Sequence, residues 1–365
     1  MKILLLGDYS GCHANLAKGL RKLGHTVTLV SDGCGFMNVE PDVMLARKPG
    51  LTGSIGYLLS VLKESRKWRG YDVVQLINPH FLNLRPGKLR RIFDRLRRQN
   101  KSVYVTLCSE DTPYVDALLN RNVFRYSEAK VGDTPTRFYT DNPHFFDDWL
   151  LPETADYQQY FFDKIDGMMA VLPEYAMGVK PGLEGKLFRT GIPVDLEQIA
   201  YKPAPMDRPV CVMLAYKTSQ IEKKGAYKLE RILRELEDEM PDKMELMVVH
   251  DVPFEDFLDG LTDAHLLVDQ LYAYAPATAA LNALATGVIP LTGCEPEYAE
   301  WLGEDGELPV YPLRPTDDLK TKLRDYILDT EKIKRLRTKT RKLVEKNNEM
   351  TVVAQKFVDA WNRKL

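Results

Sequence analysis

The stretch Asp263-Ala-His-Leu-Leu-Val-Asp-Gln-Leu-Tyr-Ala-Tyr-Ala-Pro-Ala-Thr-Ala-Ala-Leu-Asn-Ala-Leu-Ala-Thr-Gly-Val-Ile-Pro-Leu-Thr-Gly293 decides the fold. Ala264 to Val268 is an apolar run of strand character that ends in a polar loop. A helix of small residues opens near Pro276 and stops at Gly287. A second apolar run, Val288 to Leu291, follows at once. A helix with so many alanines packs close against a sheet. Its N-terminus presents unpaired backbone N–H groups and the positive end of the helix dipole, a natural seat for a diphosphate.

The same alternation runs outward through the chain. Lys2–Leu6 reads as a buried strand, Gly7-Asp-Tyr-Ser-Gly11 as a turn, and Asn15 to Leu23 as an amphipathic helix with Leu16, Leu20 and Leu23 on one face. Gly24 caps that helix, and Thr26–Val30 is β-branched and apolar. Such a unit demands a parallel sheet. Asp72–Ile77, Ser102–Leu107 and Met168–Leu172 read as further strands, and Lys88–Gln99 as a helix. Residues 112–160 are aromatic-rich and irregular and give no periodic reading. Tyr201 to Pro209 is a proline-rich linker. Beyond it Pro209–Ala215 and Glu245–His250 read as strands and Lys228–Glu239 as a helix. Thr316–Glu345 reads as helix, and Val352–Leu365 as a final amphipathic helix with Val353, Phe357 and Trp361 at helical spacing.

A chain of 365 residues suits two domains, and its net charge of −2 creates no field that would draw it onto nucleic acid. Five cysteines (Cys12, Cys34, Cys108, Cys211, Cys294) are scattered without C-x-x-C spacing, which points to a reducing compartment and offers no zinc site. The apolar run after Met1 is too short for a signal peptide, and no stretch approaches the ~20 apolar residues of a membrane span. The expected location is the cytoplasm, with peripheral attachment to the inner face of the cell membrane as a further expectation.

Leu281-Asn-Ala-Leu-Ala-Thr-Gly-Val-Ile-Pro290 resembles the second half of the donor-sugar motif of GT-B-fold glycosyltransferases of the family-4-like group, E-G-F-G-x-x-x-L-E-A-M-A-x-G-x-P-V. Tyr274 stands in place of the first glutamate and Asn282 in place of the second. Two further marks lie in family-like order. Gly7 to Val27, with Leu23-Gly-His-Thr-Val27, is similar to the family's opening glycine-rich loop. Tyr216-Lys-Thr-Ser-Gln-Ile-Glu-Lys-Lys-Gly225 is similar to its "R…K-G" element, which neutralises a donor diphosphate.

The resemblance implies two Rossmann-like α/β domains facing a central cleft: residues 1–200 on the acceptor side, 201–346 for a nucleotide sugar, and a helix over 347–365 crossing back to the first domain. It implies a donor site of Lys217, Lys224, Tyr274, the amides of Ala277 and Thr278, Asn282 and His250. It also implies an acceptor-side loop at Gly7, Asp8 and Gly11. Fixed cations and N–H dipoles stabilise the charge that builds on a leaving diphosphate, so no metal and no cofactor is expected, the nucleotide sugar being a co-substrate. The alternative for both lysines is a solvated loop, and for His250 a turn. Asn282 can accept one hydrogen bond from a ribose hydroxyl or face solvent beside the helix, and Tyr274 can stack on a sugar or a base or pack on its loop.

Strand ends of the first domain supply the acid–base candidates His80, Glu110 and Asp111, because open α/β sheets bind ligands there. His80 reads equally as a hydrogen-bonded loop histidine, and Asp111, before Thr112-Pro113, as a turn or helix cap. The basic segment Lys88–Lys101 carries an apolar stripe of Leu89, Ile92, Phe93 and Leu96. It is either a sheet-covering helix with a basic outer face or a peripheral membrane contact. The expected activity is metal-independent transfer of a sugar from a nucleotide diphosphate to a glycan or lipid-linked acceptor in cell-surface polysaccharide synthesis. The alternatives are a non-catalytic GT-B protein that binds a sugar or scaffolds a transferase, and a sugar-nucleotide epimerase.

Overall fold

Leucine- and valine-rich runs alternate with amphipathic helices, and a computed structural model, which describes residues 1–33 and 40–363, shows what they build. Cys34 and the final two residues of the helix expected over 352–365 lie outside the described residues. In chain order the first elements are β1 (Lys2–Leu6), α1 (Cys12–Lys22), β2 (Thr26–Ser31), β3 (Val43–Met44), α2 (Gly50–Glu64), β4 (Val73–Leu76), α3 (Pro86–Gln99), β5 (Ser102–Leu107) and α4 (Thr112–Leu119). The aromatic-rich stretch follows as β6 (Lys130–Val131), β7 (Thr134–Pro135), α5 (Arg137–Asp141), α6 (His144–Asp147) and α7 (Pro152–Lys164), and then come β8 (Gly167–Ala170), α8 (Pro173–Met177) and β9 (Leu187–Arg189). Next are β10 (Val210–Tyr216), α9 (Ala226–Glu239), β11 (Met244–His250), α10 (Phe254–Leu261), β12 (Leu266–Val268), α11 (Thr278–Thr286) and β13 (Ile289–Thr292). The chain continues through α12 (Pro296–Leu302), β14 (Tyr311–Pro312), α13 (Leu319–Leu328), α14 (Thr330–Asn347) and α15 (Met350–Asn362).

Two compact units result. The first comprises the described residues of Met1–Arg121, His144–Pro193 and Met350–Leu365; the second comprises Asn122–Pro143 and Val194–Glu349. The chain therefore changes unit at 193/194 and 349/350, and residues 122–143 belong with the second unit although they precede about a third of the first.

The first unit holds a seven-stranded sheet in the order β3-β2-β1-β4-β5-β8-β9, parallel throughout. The second holds a parallel five-stranded sheet, β11-β10-β12-β13-β14. Parallel strands covered by helices on both faces are buried on both sides, so they read as continuous apolar runs. β1 and β13 do so here.

The last helix completes the first core. Val353, Ala354, Phe357 and Trp361 of α15 pack with Leu16, Ala17 and Leu20 of α1 and with Ile3 and Leu5 of β1. Gly19 permits this approach, since a Cβ there would lie 2.2 Å from the Met350 carbonyl oxygen. In the second unit Leu229, Leu233 and Leu236 of α9 pack on Val212, Leu214, Leu266 and Ile289.

The helix expected over 316–345 is two helices. Asp318 caps α13 by accepting from the Thr321 N–H, and Asp329 caps α14 by accepting from the Lys332 N–H at 3.0 Å. A short acidic side chain that bonds the next backbone N–H groups starts a new helix where charge periodicity alone shows none. The basic helix α3 buries Leu89, Ile92, Phe93 and Leu96, its whole apolar stripe. It covers the sheet with that stripe and keeps a basic outer face. Among the described residues no helix is long and apolar enough to cross a membrane.

Candidate functional site

The strand order of the first sheet reverses between β1 and β4, the kind of switch point at which open α/β sheets bind ligands. A cavity of about 440 Å³ opens there. Its described lining includes Asp8 after β1, Arg47 after β3, Tyr57 of α2, His80 and Asn83 after β4, and Trp149. Arg47 is fixed in the wall by donating to Asn83 Oδ1 at 2.8 Å and to Ser54 Oγ at 2.7 Å. The Tyr57 hydroxyl accepts the Asn83 N–H at 3.0 Å.

Asp8 is placed by its neighbours. Gly7 turns the chain at φ 80°, and a Cβ there would stand 2.3 Å from Ile77 Cγ2, so glycine is required. The Asp8 Oδ1 then accepts the His13 backbone N–H at 2.8 Å, at the start of α1. Its Oδ2 is buried with no partner among the described residues. Burial pushes the carboxyl up to about 6, against the opposing pull of backbone N–H groups.

The His13 ring holds this loop from below. Burial lowers its pKa to about 3, so the ring is neutral and carries one proton. Nδ1 lies 2.8 Å from the Gly7 carbonyl and Nε2 3.0 Å from Thr106 Oγ1. The Gln75 side-chain N–H donates to the same Thr106 oxygen at 3.0 Å, and Trp361 Nε1–H donates to Gln75 Oε1 at 3.1 Å. A proton on Nδ1 satisfies every member: indole to amide, amide to hydroxyl, hydroxyl to imidazole, imidazole to the Gly7 carbonyl.

His80 lies against Trp149, with ring centroids 5.0 Å apart, and its backbone N–H donates to Asn78 Oδ1 at 2.8 Å. Its Nε2 is buried without a partner among the described residues, and burial lowers its pKa, which keeps the ring neutral. Glu110 and Asp111 do not join it at the cavity. The Glu110 carboxylate accepts the Ser109 hydroxyl at 2.6 Å. Asp111 caps α4, accepting the Tyr114 N–H at 2.8 Å, and full burial pushes its carboxyl up to about 7. Asp111 is thus the helix cap of its two readings. Gly11, at φ 73°, starts α1 and stands outside the described cavity lining.

The second sheet reverses its order between β10 and β12. Lys217 and Lys224 follow β10, and Asp269 follows β12. Lys224 Nζ donates to Asp269 Oδ1 at 2.7 Å. Asp269 is 1% exposed, and its Oδ2 has no partner among the described residues. Ala277 precedes α11, whose first turn has no side-chain cap, so the amides around Thr278 keep their donor capacity. Gly287 ends that helix in the left-handed conformation. Asn282 is buried along α11. His250 is exposed at the end of β11, stacked on Tyr216 with centroids 5.8 Å apart, and 3.7 Å from Asp251.

Tyr274 is buried, and its hydroxyl accepts the Arg125 backbone N–H at 2.5 Å. The Arg125 guanidinium lies over the Tyr274 ring at 4.8 Å and pairs with Glu295 at 2.9 Å and Glu297 at 2.6 Å. Glu295 also accepts from Arg314 at 2.5 Å and from the Tyr126 hydroxyl at 2.7 Å. Although burial alone would raise the Glu295 carboxyl, these donors hold it below the usual range. Tyr274 therefore fastens residues 122–143 to the loops after β12 and β13, and presents no open ring to a sugar.

Solved structures match the chain along its whole length. HepE of Anabaena, in complex with UDP and glucose, aligns with a TM-score of 0.62 at 14% identity over 99% of both chains. Sucrose-phosphate synthase from Thermosynechococcus elongatus gives 0.61 at 12% identity over 100% of this chain and 99% of that one. The lipopolysaccharide outer core galactosyltransferase WaaB gives 0.55 at 11%, over 100% of both. The chain has the GT-B fold. No family model and no curated protein matches its sequence.

On this GT-B frame the residues named from sequence divide. Gly7, Asp8 and His80 gather at the cavity of the first unit. Lys217, Lys224 and Ala277 lie on the loops that follow β10 and β12, and Thr278 opens α11. Sequence reasoning missed Asp269, Arg47, Tyr57 and Trp149. Asp269 carried a signal, an acidic residue directly after an apolar strand in the stretch quoted first. The other three sit in segments without clear periodicity.

Proposed function

We propose that the protein is a metal-independent glycosyltransferase that moves a sugar from a nucleotide diphosphate to a glycan or lipid-linked acceptor in cell-surface polysaccharide synthesis. The observation that carries this reading is Asp8: a buried carboxylate with one oxygen unpaired among the described residues, raised to about 6, in the wall of a cavity of about 440 Å³ that also holds His80, Tyr57 and Trp149. A group of that pKa is mostly ionised at neutral pH yet still basic enough to take a hydroxyl proton. The aromatic rings suit the faces of a sugar, and the neutral His80 Nε2 suits a hydrogen bond to a hydroxyl. The solved complexes of HepE with UDP-glucose and with UDP, on the same fold, support a nucleotide-sugar donor.

In this reading the first unit binds the acceptor and Asp8 takes the proton of its hydroxyl. That oxygen forms the new bond to the anomeric carbon as the bond to the leaving phosphate breaks. The second unit binds the donor. Lys217, Lys224 and the N–H groups around Thr278 meet the charge left on the diphosphate. Asp269, with one oxygen unpaired among the described residues, supplies a carboxylate on a side where Tyr274 and Asn282 leave none.

A thermal-shift panel of nucleoside diphosphates and their sugars tests the donor half. A ligand held at about 100 times its Kd adds about 2.7 kcal/mol of stability, a readily visible shift. A response to one base family supports the reading, and a flat response from folded protein sinks it. The second reading, a non-catalytic GT-B protein, is favoured by the Lys224–Asp269 pair and by the burial of Tyr274. It predicts sugar or nucleotide binding with no turnover of any donor.

A further inference from the structure

We propose that α2 docks the first unit on an anionic lipid bilayer. Four large apolar side chains of this helix lie in water: Leu51 is 77% exposed, Leu59 61%, Ile55 52% and Leu62 41%. Their spacing puts them on one stripe less than a quarter-turn wide, while Tyr57 and Val61 on the opposite side are buried. Scattered exposed leucines need no explanation, but a row of four on one helix does.

The charges beside the stripe say what covers it. Lys63, Arg66, Lys67 and Arg69 at the end of α2 are all exposed. Arg95 of α3 donates to Ser65 Oγ at the C-cap of α2, which brings a second basic row alongside. Lys88, Arg91 and Arg98 share the face of Arg95 by their three- and four-residue spacing, and all three are exposed. Of the neighbouring carboxylates, Glu64 is paired with Lys67 and Asp94 of α3 accepts the Tyr160 hydroxyl at 2.6 Å. A chain with net charge −2 thus gathers cations around this exposed apolar stripe. Apolar side chains that enter the acyl boundary, rimmed by lysine and arginine at the level of anionic headgroups, are the chemistry of an interfacial helix. The helix that does this also carries Tyr57 in the wall of the cavity. Resting on the transferase reading, the inference adds that the acceptor is lipid-borne.

Co-sedimentation of the full chain with vesicles tests this, using neutral phosphatidylcholine with and without about 30% phosphatidylglycerol. The wild type is expected to pellet with the anionic vesicles and to be released as salt rises well above about 0.15 M. Leu51→Ser/Leu59→Ser should weaken that binding at least about tenfold, and Arg91→Ala/Arg98→Ala should weaken it chiefly at low salt. Both pairs are exposed, and an unchanged Tm confirms that the variants fold. No pelleting of the wild type, or equal pelleting of wild type and Leu51→Ser/Leu59→Ser, overturns the proposal. So does a dimer in light scattering that the same leucine substitutions split, because the stripe is then covered by a second copy. The readout needs no donor, so a failure here leaves nucleotide binding untouched, and the reverse.

Discussion

The Tyr274 hydroxyl accepts the backbone N–H of Arg125, a residue 149 positions earlier in the chain. The side chain that stands where relatives of the proposed class carry a glutamate is thereby committed to holding a strap in place. Arg125, Glu295, Glu297, Arg314 and Tyr126 close the same network.

Tyr274→Phe should cost about 1–3 kcal/mol in urea denaturation, because the Arg125 N–H loses its acceptor. Nucleotide affinity should not change. Tyr274→Glu would place a further carboxylate beside Glu295 and Glu297, and should destabilise the fold without restoring a donor ligand. A Tyr274→Glu protein that binds nucleotide more tightly than wild type would contradict this assignment.

Asp8 gives a prediction with two signs. Folding raises its carboxyl from 3.8 to about 6. The folded chain therefore holds the proton more tightly, and the associated stability is full below about pH 4 and is lost as pH rises through 6. Asp8→Asn should match the wild-type stability at pH 4 and exceed it at pH 8, by up to about 3 kcal/mol. Transfer activity should move the opposite way. It falls in the wild type as pH drops through about 6, and is lost in Asp8→Asn at every pH.

Lys224 and Asp269 separate stability from ligand binding. Lys224→Met leaves a buried carboxylate unpaired, with an expected loss of about 3 kcal/mol. Adding Asp269→Asn should recover most of it. Nucleotide affinity should stay at least about tenfold reduced in the double variant, since the cation is gone. Calorimetric titration with the diphosphate found in the panel reads the second effect and thermal melting the first. Recovery of both together would make Lys224 a structural residue only.

The Trp361 indole ends the chain of bonds that reaches the Gly7 carbonyl. Trp361→Phe keeps the ring in the core and strands the Gln75 amide oxygen, an expected loss of about 1–3 kcal/mol. If the four bonds act as one network, the Trp361→Phe and Thr106→Val losses will not add in a double-mutant cycle.

Strands were the most legible part of this sequence. β1, β5, β10 and β13 are apolar runs bounded by turn residues, and buried parallel strands have no other way to be written. Helix α11 declared itself through its alanines and Gly287. Residues 122–143 did not, because they form two-residue strands and a short helix held by side-chain pairs to residues far along the chain. Without those partners in view, Tyr274 read as an aromatic that stacks on a ligand or packs on its loop. Asp8 was placed in its loop by the Gly7-Asp8 ending of β1, but its role rests on burial, which no local pattern records. Asp111 shows the converse: its proximity to a strand end suggested chemistry, and the Thr112-Pro113 that follows decided for a cap. Helix α2 escaped notice because glycines 50, 53 and 56 blur its period.

The bond between Gln75 and Trp361 joins residues 286 apart. On a ribosome the first unit cannot close its core when its own sheet has emerged, since Phe357 and Trp361 are still to be made. Leu16, Leu20 and Ile3 stay uncovered through synthesis of the whole second unit. The second unit is thus free to fold while the first waits, and the nascent chain carries an open greasy face that a holdase chaperone would shield. Truncation after residue 349 should make that waiting state permanent, as an aggregation-prone first unit beside an intact second one.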